Sequence, residues 1–124
     1  MQNPKVALLD EVTPTVKVAG SCNAILKRQD GSLLGDMFDG AGFVRGVMHK
    51  GKTLQGARAL VVGPGCVGST IAASLAAAGV AAIGLYDSRA DAALRLGARL
   101  REGEQREAAR RLGAPACVQR RYRA

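Results

Sequence analysis

Three glycines and one aspartate carry the clearest chemical signal in this chain. Ala59-Leu60-Val61-Val62 runs straight into Gly63-Pro64-Gly65-Cys66-Val67-Gly68, and small helix-compatible residues follow from Ser69 to Ala73. Strand, tight turn and helix in that order, with glycines at 63, 65 and 68, match the G-x-G-x-x-G pattern that holds a dinucleotide pyrophosphate. Gly63 lets the chain turn as it leaves the strand. Gly65 lets backbone approach the phosphates, because no Cβ intervenes. Gly68 lets the helix pack closely on the strand. Cys66 and Val67 open that helix, whose unpaired N–H groups and dipole favour an anion. Asp87 follows Gly68 by 19 residues, at the end of the apolar run Val80 to Tyr86. An acid there is placed to accept hydrogen bonds from the ribose hydroxyls of NAD. Arg89, two residues on, offers a guanidinium for a phosphate or an adenine face. The plain alternative is a strand–turn–helix with an exposed aspartate. A chain with 16 glycines meets the pattern by chance more readily than most.

Length and composition bound what can position these groups. The chain has 124 residues, enough for one domain and not for two large ones. Apolar residues make up 48% and aromatics only 3%, so the core must be built from Val, Leu, Ile and Ala. Gly, Arg or Asp interrupts every apolar stretch before it reaches membrane-spanning length. Met1-Gln2-Asn3-Pro4-Lys5 lacks the apolar middle of a signal peptide, so a cytoplasmic protein is the expectation. Cysteines at 22, 66 and 117 are odd in number and widely spaced, which argues against a disulfide framework or a metal site. The net charge of +8 raises nucleic acid as a partner. Residues 101–124 hold seven Arg against three acidic residues. No nucleic-acid motif accompanies them, so a solvated basic tail over 113–124 is the expectation.

The pattern along the chain predicts the elements. Residues 4–12 read as a short helix with Pro near its start. Thr13-Pro14 breaks it, and Pro14 to Ala19 forms a second helical turn with Thr13 as N-cap and Gly20 as its end. Extended segments on either side of Gln29-Asp30-Gly31 make a hairpin. Phe43, Val44, Val47 and Met48 have helical spacing over 40–50, with Gly51 as the stop. The spacing then predicts a strand over 58–63, a helix over 65–78 closed by Gly79, and a strand over 80–86. A helix from Ser88 to about 101 uses Leu94, Leu96 and Leu100, and a further helix covers 104–112. His49 reads as a helix-surface residue. From residue 58 this is β-α-β-α with parallel strands. A third strand is not visible, since Val118 stands alone among polar neighbours. Two parallel strands leave open edges, and a second copy of the chain is one way to cover them.

The order of motifs resembles the shikimate dehydrogenase family over residues 5–100. Cys22-Asn23-Ala24 stands where the family has Val-Asn-Thr. The hairpin follows. Gly35-Asp36-Met37-Phe38-Asp39-Gly40 stands for Gly-Asp-Asn-Thr-Asp-Gly, and Gly63-Pro64-Gly65-Cys66 for Gly-Ala-Gly-Gly. Ala41-Gly42-Phe43 and Gly51-Lys52-Thr53-Leu54 are also similar. The fold implied is α/β: the start of a Rossmann-type dinucleotide-binding domain preceded by the C-terminal part of an α/β substrate domain. Residues 1–50 would be the partial substrate domain and 51–112 the partial cofactor domain of a truncated member.

The resemblance also implies a reaction. Family members reduce 3-dehydroshikimate to shikimate with a nicotinamide cofactor, and some act on quinate. It places the catalytic aspartate at Asp39, the substrate-binding asparagine at Asn23 and a companion acid at Asp36. The candidate for the catalytic lysine is Lys5, behind Pro4 and 18 residues before Asn23. Two departures stand out. The family's Asn-Thr is Met37-Phe38, larger and apolar, and its threonine after the asparagine is Ala24. Family members that prefer NADP carry Asn-Arg-Thr or similar where this chain has Asp87-Ser88-Arg89. The cofactor expected is therefore NAD or NADP, with NAD favoured by Asp87. The alternatives are an inactive fragment that keeps at most nucleotide binding, and a small basic nucleic-acid-binding module.

Overall fold

The computed structural model describes residues 5–63, 65–112 and 121–123, with side chains over 5–63 and 65–103. Two three-stranded sheets carry the chain. The first has the order β1 (Glu11–Val12), β3 (Leu33–Asp36), β2 (Ala24–Lys27). The second is all parallel, in the order β4 (Arg58–Val62), β5 (Ala82–Tyr86), β6 (Arg121–Arg123). The helices are α1 (Pro14–Ala19), α2 (Asp39–His49), α3 (Cys66–Ala77) and α4 (Ala90–Leu112). The chain is α/β, as its motifs imply.

The hairpin forms as its turn chemistry requires. Asp30 Oδ1 accepts from the Ser32 N–H at 2.9 Å and from its hydroxyl at 2.7 Å, and Gly31 takes φ +87° between them. Those two bonds hold the Asp30 carboxyl below its usual pKa. The antiparallel register pairs Ala24 with Asp36 and Lys27 with Leu33.

The helix expected over 4–12 is absent. A 3-10 turn covers only Val6–Leu8, and the chain then extends into β1, parallel to β3. Long-range bonds win over the local pattern here. The Asp10 N–H reaches Leu33 O at 3.1 Å, Asp10 Oδ2 accepts from the Leu33 N–H at 2.7 Å, and the Thr13 N–H reaches Gly35 O at 3.1 Å. Thr13 does occupy the N-cap position of α1, in extended conformation before Pro14. Its hydroxyl caps nothing and instead donates to Asp36 Oδ1 at 2.8 Å.

Three further expectations need correction. Ala90 to Leu112 is one helix of 23 residues, where two were expected, and it begins two residues beyond Ser88. Gly103 lies inside it, and helical propensity on both sides carries the helix across. Leu96 and Leu100 face the core, whereas Leu94 is exposed; on α2, Phe43 and Met48 are exposed too. Finally, a third parallel strand exists. Arg121, Tyr122 and Arg123 pair with Ala82, Ile83 and Gly84, so the glycine turn begins a three-stranded unit. The rest of the expected basic tail, residues 113–120 and 124, lies outside the described residues.

The main core sits between the second sheet and its helices. Val61, Ala72, Leu75, Ala76, Val80, Ile83, Leu85, Ala93, Leu96 and Leu100 are buried together, and Val18 of α1 and Val44 of α2 pack against them. A smaller cluster joins Val6, Val16 and Met37 beside the first sheet. The outer face of β4 stays open, with Leu60 and Val62 exposed. Among the described residues, no helix is long and apolar enough to cross a membrane.

Candidate active site

Two half-sites form, one at the N-terminus of each of two contacting helices, α2 and α3. The first is built at the exit of β3. The Asn23 N–H is held by Asp36 O at 3.1 Å, which sets where the Asn23 side chain starts. Its Nδ2 then donates to Asp39 Oδ1 at 2.8 Å, and its Oδ1 accepts from the Phe38 N–H at 3.2 Å. Asn23 and Asp39 are thus brought together, as a polar pair open to solvent. Asp36 does not join them with its carboxylate. Its Oδ1 accepts from Thr13 and from the Met37 N–H at 2.7 Å, bracing the turn that delivers Phe38 and Asp39. Thr13 is a supporting residue that sequence reasoning missed; Thr13-Pro14 reads as a helix breaker, with Thr13 as N-cap of the helix that follows. Met37 is buried against Val6 and Val16, while Phe38 projects to the surface. Lys5 is exposed, one residue before Val6 in the same cluster as Met37. His49 lies exposed on the last turn of α2.

The second half-site lies at the carboxyl ends of β4 and β5. Gly63 turns the chain at φ +75°, a conformation that side chains other than glycine rarely adopt. Its N–H bonds Tyr86 O at 2.8 Å, which lays the turn beside the residue that precedes Asp87. Gly65 is the N-cap of α3, with open space where a Cβ would stand. At Gly68 a Cβ would collide with Gly63 O, so this helix can begin so near the strand only with glycine there. The first N–H groups of α3, at Cys66 and Val67, have no acceptor within the helix. Cys66 and Val67 are exposed beside them. Asp87 is nearly buried, its side chain 10% accessible, and its Oδ1 accepts from the Arg89 N–H at 2.7 Å. The Arg89 guanidinium reaches out to solvent, its Nε 3.7 Å from the same oxygen. Among the described residues nothing stands within 4 Å of where a Gly65 Cβ would be, so a phosphate can approach that backbone, and the acid stands at the neighbouring strand end. These residues fit a dinucleotide. Among the described residues, no cluster of His, Cys, Asp and Glu is placed to hold a metal ion.

Gly40 joins the half-sites. It is the second residue of α2, next to Asp39, and a Cβ there would strike Thr70 O and Ser74 Oγ of α3. Thr70 is one turn beyond Cys66, about 6 Å along the helix at 1.5 Å per residue. Asp39 therefore stands close to the end of α3 that opens from the glycine turn.

Comparison with known proteins points to one group of enzymes. No family model matches the chain. A stretch of 56 residues, 45% of the chain, is 46% identical to 21% of the shikimate dehydrogenase (NADP(+)) of Pseudoalteromonas atlantica. Over 94 residues, 76% of the chain, identity is 33% to a third of the protein of the same name from Rubrobacter xylanophilus. The chain is related to the shikimate dehydrogenases. It spans between 21% and 33% of the length of these two relatives. Solved structures give the same picture. A quinate dehydrogenase from Corynebacterium glutamicum in complex with NAD superposes with a TM-score of 0.72 at 25% identity, over 83% of this chain and 36% of that one. The shikimate 5-dehydrogenase of Thermus thermophilus with NADP(H) and shikimate gives 0.68 at 27%, over 80% and 37%. A 5-ketofructose reductase from Gluconobacter gives 0.71 at 27%, over 82% and 36%. The relatives thus include both dinucleotides and more than one substrate.

Proposed function

We propose that this chain carries the substrate-gripping and nucleotide-binding half-sites of an oxidoreductase of the shikimate dehydrogenase type. Its reaction is the NAD(P)-dependent interconversion of 3-dehydroshikimate and shikimate, or the corresponding step on quinate. The observation that carries this reading is the hydrogen-bonded Asn23–Asp39 pair, set by Gly40 against the helix that the glycine turn opens. Residues 1–50 serve the substrate and residues 51–112 the cofactor.

Gly63, Gly65, Cys66, Val67 and Gly68 would hold the pyrophosphate, Asp87 the ribose hydroxyls and Arg89 the adenine side. NAD is the favoured cofactor, because an unphosphorylated ribose gives Asp87 two donors and a 2′-phosphate gives it a second negative charge. When bound, the nicotinamide supplies or accepts the hydride. The chain's own residues manage the substrate and its proton. Asn23 orients the hydroxyl edge with its remaining N–H. Asp39 holds the reacting hydroxyl and sets its direction. Lys5 Nζ gives its proton to the carbonyl oxygen as negative charge develops there, and takes it back in the oxidative direction. Packing of Val6 on Met37 supports Lys5 in this role, since it draws that end of the chain towards Asp39. A cytoplasmic setting suits the unpaired cysteines at 22 and 66.

The test is binding and turnover by the purified chain. NAD⁺ and NADP⁺ are titrated by calorimetry, and formation of reduced nicotinamide is followed with shikimate or quinate, beside an intact relative as positive control. Saturable binding of NAD⁺ with turnover of one of the two acids is expected. Absence of both binding and turnover would sink the reading.

A further inference from the structure

We propose that Phe38 selects the substrate by shape, its ring forming the platform for the flat face of a cyclic hydroxy acid whose hydroxyl edge meets Asn23 and Asp39. The inference rests on the reading above and narrows it to one class of ring.

Phe38 is 58% exposed, whereas its neighbour Met37 is 5% exposed and packs with Val6 and Val16. Phe38 belongs to neither packed cluster among the described residues. A large ring held out in water contributes nothing to those cores. Its backbone, however, is fixed at the centre of the polar pair. The Phe38 N–H donates to Asn23 Oδ1, and the next residue's carboxylate accepts from Asn23 Nδ2. The ring is therefore anchored within one residue of both groups that would grip a substrate.

The polar capacity left at this spot is small. Asn23 has two N–H donors and two acceptor lone pairs. One donor is given to Asp39 and one lone pair to Phe38, leaving one of each. Asp39 keeps Oδ2 beyond the oxygen that Asn23 holds. That suits one edge carrying one or two hydroxyls. Beyond it the substrate meets an aromatic face, which favours flat, C–H-rich surface and gives no partner to a hydroxyl. A ring flattened by a double bond can lie on Phe38. A saturated ring with an axial hydroxyl is held away from it.

Calorimetry with the full chain, without a dinucleotide so that neither acid is oxidised, compares shikimate, whose ring is flattened by a double bond, with quinate, whose ring is saturated. The wild-type chain should favour shikimate by roughly three- to tenfold. The preference should fall to within about twofold in Phe38→Ala and persist in Phe38→Tyr, which keeps the ring. NMR of the wild-type chain gives a second measurement that needs no variant: shikimate should shift the Phe38 ring resonances. An unchanged preference in Phe38→Ala, or ring resonances that stay still as shikimate saturates the site, would overturn the inference and leave the parent reading standing. A wild-type chain that binds neither acid would overturn the parent reading and this inference with it.

Discussion

The side-chain amide of Asn23 donates to Asp39 Oδ1 at 2.8 Å, across 16 residues of chain that include a whole hairpin. The hairpin's length sets that meeting. Ala24 pairs with Asp36, so the residue before β2 and the residues after β3 emerge at the same end. Removing either partner should separate binding from chemistry. Asn23→Ala should weaken shikimate by up to about tenfold, the upper end of the loss expected for one neutral hydrogen bond. Asp39→Asn keeps the shape and a bond to Asn23 but loses the negative charge that directs the reacting hydroxyl, so turnover should fall by about a hundredfold or more while shikimate still binds. Titration calorimetry beside initial rates checks both.

Asp87 should set the choice of dinucleotide. Its carboxylate is held by the Arg89 N–H and sits 3.7 Å from Arg89 Nε. Asp87→Ser removes the negative charge and leaves the solvent-facing Arg89 free to meet a phosphate. The ratio of NAD⁺ to NADP⁺ affinity should shift by about tenfold or more towards NADP⁺. Parallel titrations of the two dinucleotides measure it, and an unchanged ratio would remove Asp87 from the nucleotide site.

Gly40 and Gly42 make a matched pair. Both lie in the first turns of α2, but a Cβ at Gly40 meets α3 backbone while one at Gly42 meets nothing within 4 Å. Gly40→Ala should therefore cost about 1–3 kcal/mol through forced separation of the helices. Gly42→Ala should stabilise by up to about 1 kcal/mol through helix propensity. Thermal melts of the two variants should move in opposite directions, and a shared direction would refute the close crossing.

The hairpin turn should loosen in acid. The Asp30 carboxyl is held below the usual carboxylate range by the bonds from Ser32. A lowered carboxyl pKa contributes stability that is present above the unfolded value and lost as pH falls through the folded one. Protection of the Ser32 amide, its exchange rate relative to the intrinsic rate at the same pH, should be present at neutral pH and lost in that acid window. Asp30→Ala should show the reduced protection at every pH.

What was legible in the sequence was what short-range chemistry determines. Asp30-Gly31 specifies its own turn, and Gly63 to Gly68 specifies its own strand–turn–helix. Strand β1 was not legible, because Leu34, the partner of Glu11, lies 23 residues further on and no local pattern announces it. Strand β6 was hidden for a related reason: Arg121-Tyr122-Arg123 lacks the apolar run of a buried strand, and only its place beside β5 makes it one. The residue types at the substrate half-site were visible, Met37-Phe38 included. Which of those two turns inward was not, since that depends on Val6 and Val16 arriving from another part of the chain.

The crossing at Gly40 bears on how accurately the two half-sites can be held relative to each other. Most helix pairs meet through side chains, and each rotamer in the stack adds its own play. Here Gly40 brings its backbone against the Thr70 carbonyl, with no side chain of its own between them. The spacing between Asp39 and the start of α3 is thus set by backbone lying directly on backbone, with one fewer side-chain rotamer between them.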